Sequence, residues 1–284
     1  MKIGVRGHDF GRYSIQDFPK VIKESGFECV QLAPVKAISG ISSFADITEK
    51  AIYEIGESFT KENIEITVLG CYIEPSISDI SQRLSNIDIF KQNLIYAKQI
   101  DVPYVATETT HLYPNATENQ RETAYKNLLD STLRIVEQAE NLGVNVAIEP
   151  VAEHTLNTPE LAYRLITDVN SDKLKIIFDP VNMILPNTWY EQEDIFTRYF
   201  NLLGDYICVI HAKDTTFSKD TISPQESYKG EEGKVWANIG TGVVNYGMIM
   251  TYLKEKHPNI RILREVAKMD SYKQDLEKLK ELIK

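Results

Sequence analysis

Four apolar segments in the second half of the chain each end on a residue that can ligate a metal: VNVAIE on Glu149, KIIFD on Asp179, ICVIH on His211 and RILRE on Glu265. Taken singly, an Asp or Glu after an apolar run reads as a helix cap or turn residue. Taken together, three carboxylates and one imidazole form a hard, oxygen-rich donor set. Such a set suits one divalent ion, Mn²⁺ or Mg²⁺ first and Co²⁺ or Zn²⁺ next, and leaves positions open for substrate. An ion so held can polarise a carbonyl oxygen and stabilise the charge that builds there when a neighbouring C–H proton leaves.

Proton abstraction beside a carbonyl needs a base, and inversion at carbon needs a second group on the opposite face. Glu149 and Glu265 are the candidates, each serving as ligand and proton carrier. Lys213 lies two residues beyond His211, on the same face of an extended strand, where its ammonium would meet a substrate oxygen or an enediolate. The competing reading makes it a surface lysine paired with Asp214. His8, Tyr72, Glu74 and Glu108 follow the first, third and fourth apolar runs and are candidate hydroxyl-binding groups. His154, His111 and His257 read as ordinary loop or helix-end residues.

Residues from distant parts of a chain share one site only if the elements carrying them converge. Eight short runs rich in Val, Ile and aromatic residues recur at Lys2–Arg6, Cys29–Ala33, Ile64–Cys71, Tyr104–Thr107, Val144–Glu149, Leu174–Asp179, Tyr206–His211 and Ile260–Glu265. Between them lie segments of helical period, such as Phe90, Leu94, Ala97 and Lys98, or Leu128, Leu133, Val136 and Ala139. Ser14 with Asp17, and Thr158 with Pro159 and Glu160, mark helix starts; Gly26 and Gly143 mark helix ends. Strand and helix alternating eight times predict a (β/α)8 TIM barrel, whose right-handed crossovers bring all strand ends to one face.

At 284 residues the chain fits a single such domain, 1–284, since these barrels run to about 250 residues. One connection is long. From about 214 to 245 it passes Ser218, Asp220, Pro224, Tyr228, Gly230, Gly233 and Trp236 before Gly240-Thr241-Gly242. It reads as a lid over the C-terminal face, and its glycine turn as a place where backbone N–H groups could meet a phosphate or simply turn the chain. A hydrophobic content of 43% and a charged content of 25% are those of an ordinary globular protein. The net charge of -10 argues against nucleic acid and anionic membranes as partners. The absence of a leader-like start and of a long apolar run points to the cytoplasm, and three cysteines without disulfide or zinc spacing read as core thiols. Helix surfaces that associate look like helix surfaces that pack, so a homo-oligomer and a monomer both stay open.

With these residues in view, the sequence resembles the xylose isomerase-like TIM-barrel superfamily, in its sugar phosphate isomerase/epimerase branch. The resemblance is carried by IEP at Glu149-Pro150 with NTPE from Asn157, FDPVN from Phe178 to Asn182, HAKD from His211 to Asp214, and Glu265. It implies that Glu149, Asp179, His211 and Glu265 bind one divalent cation, with Glu149 and Glu265 as the acid/base pair. Asn182 departs from many epimerases, which carry histidine there, so its contact with substrate is expected to differ. The expected activity is isomerisation or epimerisation of a small ketose, ketose phosphate or related polyol through a metal-stabilised enediolate. Dehydration of a polyol on the same site and a non-catalytic sugar-binding protein are the alternatives. The endonuclease IV type, with its histidine-rich zinc cluster, fits poorly with five histidines and an acidic chain.

Overall fold

The computed structural model describes residues 1–113, 115–217, 233–266 and 271–284. Its strands are β1 (Lys2–Arg6), β2 (Cys29–Leu32), β3 (Glu65–Gly70), β4 (Tyr104–Glu108), β5 (Asn145–Glu149), β6 (Leu174–Phe178), β7 (Ile207–Ala212), β8 (Asp214–Phe217), β9 (Lys234–Ala237) and β10 (Arg261–Arg264). Eight of them close a ring in the order β1-β10-β7-β6-β5-β4-β3-β2, with every neighbouring pair parallel. The helices are α1 (Phe18–Glu24), α2 (Pro34–Ala37), α3 (Glu49–Glu62), α4 (Ile80–Gln99), α5 (Glu118–Leu142), α6 (Pro159–Val169), α7 (Gln192–Leu203), α8 (Tyr246–Lys256) and α9 (Tyr272–Ile283). Parallel strands with helical crossovers in a closed ring are the expected (β/α)8 TIM barrel.

The period of two along each strand places the chemistry. One face of each strand packs outward on the helices through residues such as Val5, Val30, Leu69, Val105, Ile148, Phe178, Ile210 and Ile262. The other face fills the barrel with a separate small cluster: Cys29, Val68, Ala106, Ala147, Ile177, Val209 and Leu263. Two residues further along the same face come Gln31, Gly70, Glu108, Glu149, Asp179, His211 and Glu265, so the layer above the apolar plug is polar. Gly4 completes the plug on β1, where any side chain would overlap the Cys29 carbonyl and the Leu263 side chain; two residues on stands Arg6.

The crossovers are capped as their sequences suggest. Thr158 accepts a hydrogen bond from Leu161 N (3.2 Å) with Pro159 opening α6, and Thr117 and Gln120 form a reciprocal box at the start of α5. Gly143 ends α5 in the left-handed region, at φ 72°. Ser14 behaves differently from expectation. It bonds Asp17 in a turn (Asp17 N to Ser14 Oγ, 3.1 Å), and α1 starts only at Phe18 with Pro19 in its first turn. Leu133 is also corrected: it is 45% exposed on the outer side of α5, while Leu128, Val136 and Ala139 are buried.

The long connection expected at 214–245 holds a two-stranded antiparallel sheet, Asp214–Phe217 paired with Lys234–Ala237. Ser218, Asp220, Pro224, Tyr228 and Gly230 lie outside the described residues. The three cysteines are free. No described helix is long and apolar enough to cross a membrane.

Candidate metal centre

The FDPVN segment turns sharply after β6 because the Asp179 side chain caps its own turn. Its Oδ1 accepts from Val181 N (2.9 Å) and Asn182 N (3.1 Å). That leaves Oδ2 aimed inward, buried, without a hydrogen-bond partner, although the Lys213 ammonium lies 2.7 Å away as an ionic contact. Glu149, at the end of β5, accepts at Oε1 from Asn182 Nδ2 (2.6 Å) and presents Oε2 at 3.1 Å from His211 Nδ1. Glu265, one residue past the β10 ladder, places Oε1 3.2 Å from the same nitrogen. Its Oε2 lies 3.2 Å from Lys213 Nζ and 3.2 Å from Arg6 Nη1.

His211 is held from behind. Its Nε2 lies 2.8 Å from Gln31 Oε1, and the amide of Gln31 donates to the Tyr72 hydroxyl at 3.1 Å. Because the amide N–H₂ faces Tyr72, the oxygen faces the imidazole, so Nε2 keeps its proton and Nδ1 is the nitrogen turned to the carboxylates. Nδ1 has two carboxylates close by and no hydrogen bond to either. Ligand atoms of Glu149, Asp179 and His211 all lie within 4.8 Å of one another. Glu265 lies outside this trio and touches it at His211 Nδ1.

Burial makes the charges strong, since Glu149, Asp179, His211 and Glu265 are all less than 5% exposed. Burial pushes the Asp179 carboxyl up to about 6 despite the Lys213 ammonium, with Glu149 and Glu265 adding to the rise. Burial disfavours the imidazolium of His211, but Glu265 and Glu149 outweigh it and raise the group to about 9. Burial also opposes ionisation of Glu265, yet Arg6, His211 and Lys213 hold it well below the usual carboxylate range. The residues therefore fit a hard divalent cation: mostly carboxylate donors, an imidazole nitrogen whose proton a cation would displace, and two buried atoms lacking hydrogen bonds.

Lys213 is not the surface partner of Asp214. It is buried and pairs with Asp179 and Glu265, while Asp214 turns to backbone N–H groups. Across the barrel mouth, His8 packs edge-on against Tyr72 (centroids 5.9 Å apart), and its Nδ1 is buried without a hydrogen-bond partner. Burial, Arg6 and Lys36 lower His8 to about 3, so it is neutral at pH 7. Burial raises the Glu108 carboxyl. His154 stays apart in a bridge with His111.

Sequence reasoning assigned no role to Gln31, Arg6, Asp9 or Lys36. Gln31 had a signal, being a lone amide in the apolar run CVQLA. Arg6 and Asp9 had their place at a strand end and a weak echo of the family in Arg6-Gly7-His8-Asp9. Asp9 accepts from Arg6 Nη2 (2.7 Å) and from Val266 N (2.8 Å), bracing the turn that follows Glu265. Val266 sits there at φ 57°, a strained value for a β-branched residue. Lys36 lies 3.5 Å from the centroid of the Tyr72 ring.

A family model described as xylose isomerase-like TIM barrel matches residues 19–282. No curated protein sequence matches the chain. Among solved structures, a D-tagatose 3-epimerase-like protein is similar at 21% identity and TM-score 0.77, covering 100% of this chain and 97% of its own. The 3-keto-D-glucoside 4-epimerase YcjR from E. coli is similar at 18% identity and TM-score 0.74, over 99% of each chain. The probable 3-DHS dehydratase AsbF from Bacillus anthracis is similar at 19% identity and TM-score 0.74, again over 99% of each. At these identities the likeness is one of fold.

Proposed function

The chain belongs to the xylose isomerase-like TIM barrel family, and from that premise we propose that it is a divalent-metal-dependent isomerase or epimerase of a small ketose or related polyol. The observation that carries this reading is the convergence of Glu149 and Glu265 on His211 Nδ1, at 3.1 Å and 3.2 Å. Glu149, Asp179, His211 and Glu265 would hold the ion, Mn²⁺ or Mg²⁺. When bound, the cation supplies a Lewis acid that polarises a substrate carbonyl and favours loss of the adjacent C–H proton.

The chain's own residues divide the remaining work. Glu265 and Glu149 form the acid/base pair, the ionised carboxylate taking the proton and its protonated counterpart returning one. Glu149 stands on β5, separated from β10 by β6 and β7 in the ring, so it works from the other side. Asn182 fixes the plane of the Glu149 carboxylate through its 2.6 Å hydrogen bond. The histidine expected in many epimerases would contact substrate; here the amide acts on Glu149. Lys213 offers a buried ammonium to developing negative charge on oxygen. His8, neutral and with an unsatisfied nitrogen, binds a sugar hydroxyl together with Tyr72 and Glu108.

The test is a metal analysis of the purified protein joined to product NMR on a panel of ketoses in D₂O. Deuterium entering the carbon beside the carbonyl, with no loss of water, supports the reading. Release of a dehydrated product replaces it with a dehydratase on the same residues. A metal-free protein whose Glu149→Gln variant binds sugar unchanged makes it a sugar-binding protein instead.

A further inference from the structure

The loop after the seventh barrel strand is where these barrels commonly seat a phosphate, on backbone N–H groups and the start of the following helix. In this chain the main-chain N–H groups from Ile239 to Asn245 are already engaged. Asp214 Oδ2 accepts from Gly240 N (2.9 Å) and Gly242 N (3.0 Å), and Oδ1 accepts from Thr215 N (2.9 Å) and Val244 N (3.2 Å). Ile239 N donates to Asp275 Oδ1 (2.9 Å), Thr241 N to Asn238 O (2.9 Å) and Val243 N to Thr215 O (2.8 Å). Asn245 N donates to Gln192 Oε1 (2.7 Å), and the first turn of α8 is capped by Asn245 Oδ1 on Met248 N (3.1 Å).

The carboxylate is an integral part of the loop. Asp214 is 1% exposed, and a side chain on Gly242 would overlap both it and the Thr215 carbonyl. Gly240 turns at φ 80° to bring its N–H round to the same oxygen. A carboxylate with four main-chain donors occupies the place a phosphate would take, and a second anion there would meet like charge and no free N–H between Ile239 and Asn245.

We infer that Asp214 is an internal anion filling the phosphate position of this barrel, and that the substrate is therefore an unphosphorylated sugar. The inference deepens the isomerase/epimerase reading and rests on it for the reaction, but the filled loop can be read without any turnover.

The first arm titrates the full-length protein with inorganic phosphate and follows the Gly240 and Gly242 amide resonances, in the wild type and in Asp214→Ala. The expected result is no shift in the wild type and a saturable shift at both glycines in the variant. The second arm compares kcat/KM for a free ketose and its phosphate in the metal-loaded wild type, with at least ~10²-fold preference expected for the free sugar. Saturable phosphate shifts at those two amides in the wild type, or a faster ketose phosphate, overturn the inference. If neither sugar turns over, the proposed reaction falls and the titration alone decides the loop. If Asp214→Ala does not fold, the wild-type titration still decides.

Discussion

Replacing Lys213 by Met removes the buried ammonium and keeps most of the side-chain volume. Asp179 Oδ2 then loses a cation at 2.7 Å, while Glu265 keeps Arg6 and His211, each at 3.2 Å. The loss therefore falls mainly on Asp179, a carboxylate 1% exposed. Breaking one side of a buried ion pair costs about 3–5 kcal/mol. For a protein of this size that lowers Tm by roughly 6–20 °C. The deficit depends on pH, because protonation relieves the stranded charge. Burial has already pushed Asp179 up to about 6, so at pH 5 it is mostly neutral and the variant should approach the wild type. A divalent ion should act as acid does, replacing the missing charge beside Asp179. The assay is thermal unfolding of chelator-treated wild type and Lys213→Met at pH 5 and 7.5, then at pH 7.5 with saturating Mn²⁺. The reasoning is refuted if the metal-free variant matches the wild type at pH 7.5, or if Mn²⁺ leaves the deficit as large as before.

Other outcomes follow from the same contacts. His211 is raised from 6.5 to about 9 in the metal-free protein, so its contribution is fully present below pH 6.5 and is lost as pH rises through 9. Roughly 3 kcal/mol of stability should disappear across that window; urea midpoints that decline equally in His211→Asn would contradict this. Asn182→Ala removes the donor that fixes Glu149 and should weaken metal affinity about 10–100-fold, read by titrating metal-free protein; unchanged affinity would count against the positioning role. Val266→Gly relieves a left-handed β-branched residue, and with the entropy cost of glycine set against the strain should stabilise the protein by about 1 kcal/mol. Calorimetry showing a loss of stability would mean that the Val266 side chain matters more than its φ.

The barrel was legible because two periods coexist in the sequence. Ala147 and Glu149, Ile177 and Asp179, Val209 and His211, and Leu263 and Glu265 each sit two apart, an apolar plug residue followed by a polar one, and alternation is visible without coordinates. Leu133 escaped the pattern because a long helix also carries apolar residues on its outer side. The partners of the site residues were not legible. Asp214 follows Lys213 directly and invites an ion pair, yet adjacent residues on a strand point to opposite faces. One therefore enters the barrel, and the other meets the loop that returns from Ala237. The orienting contacts of Arg6 and Asp9 depend on β1 adjoining β10, and that of Gln31 on β2 facing β7 across the barrel, facts of closure rather than of local spacing.

The central claim is that side chains from β5, β6, β7 and β10 converge on one cation. Titration of metal-free protein with Mn²⁺, following the EPR signal of the free ion, tests it most directly. The account predicts one tight Mn²⁺ per chain in the wild type, with affinity largely lost in both Asp179→Asn and His211→Asn. No bound Mn²⁺ in the wild type, or full binding in both variants, would contradict it.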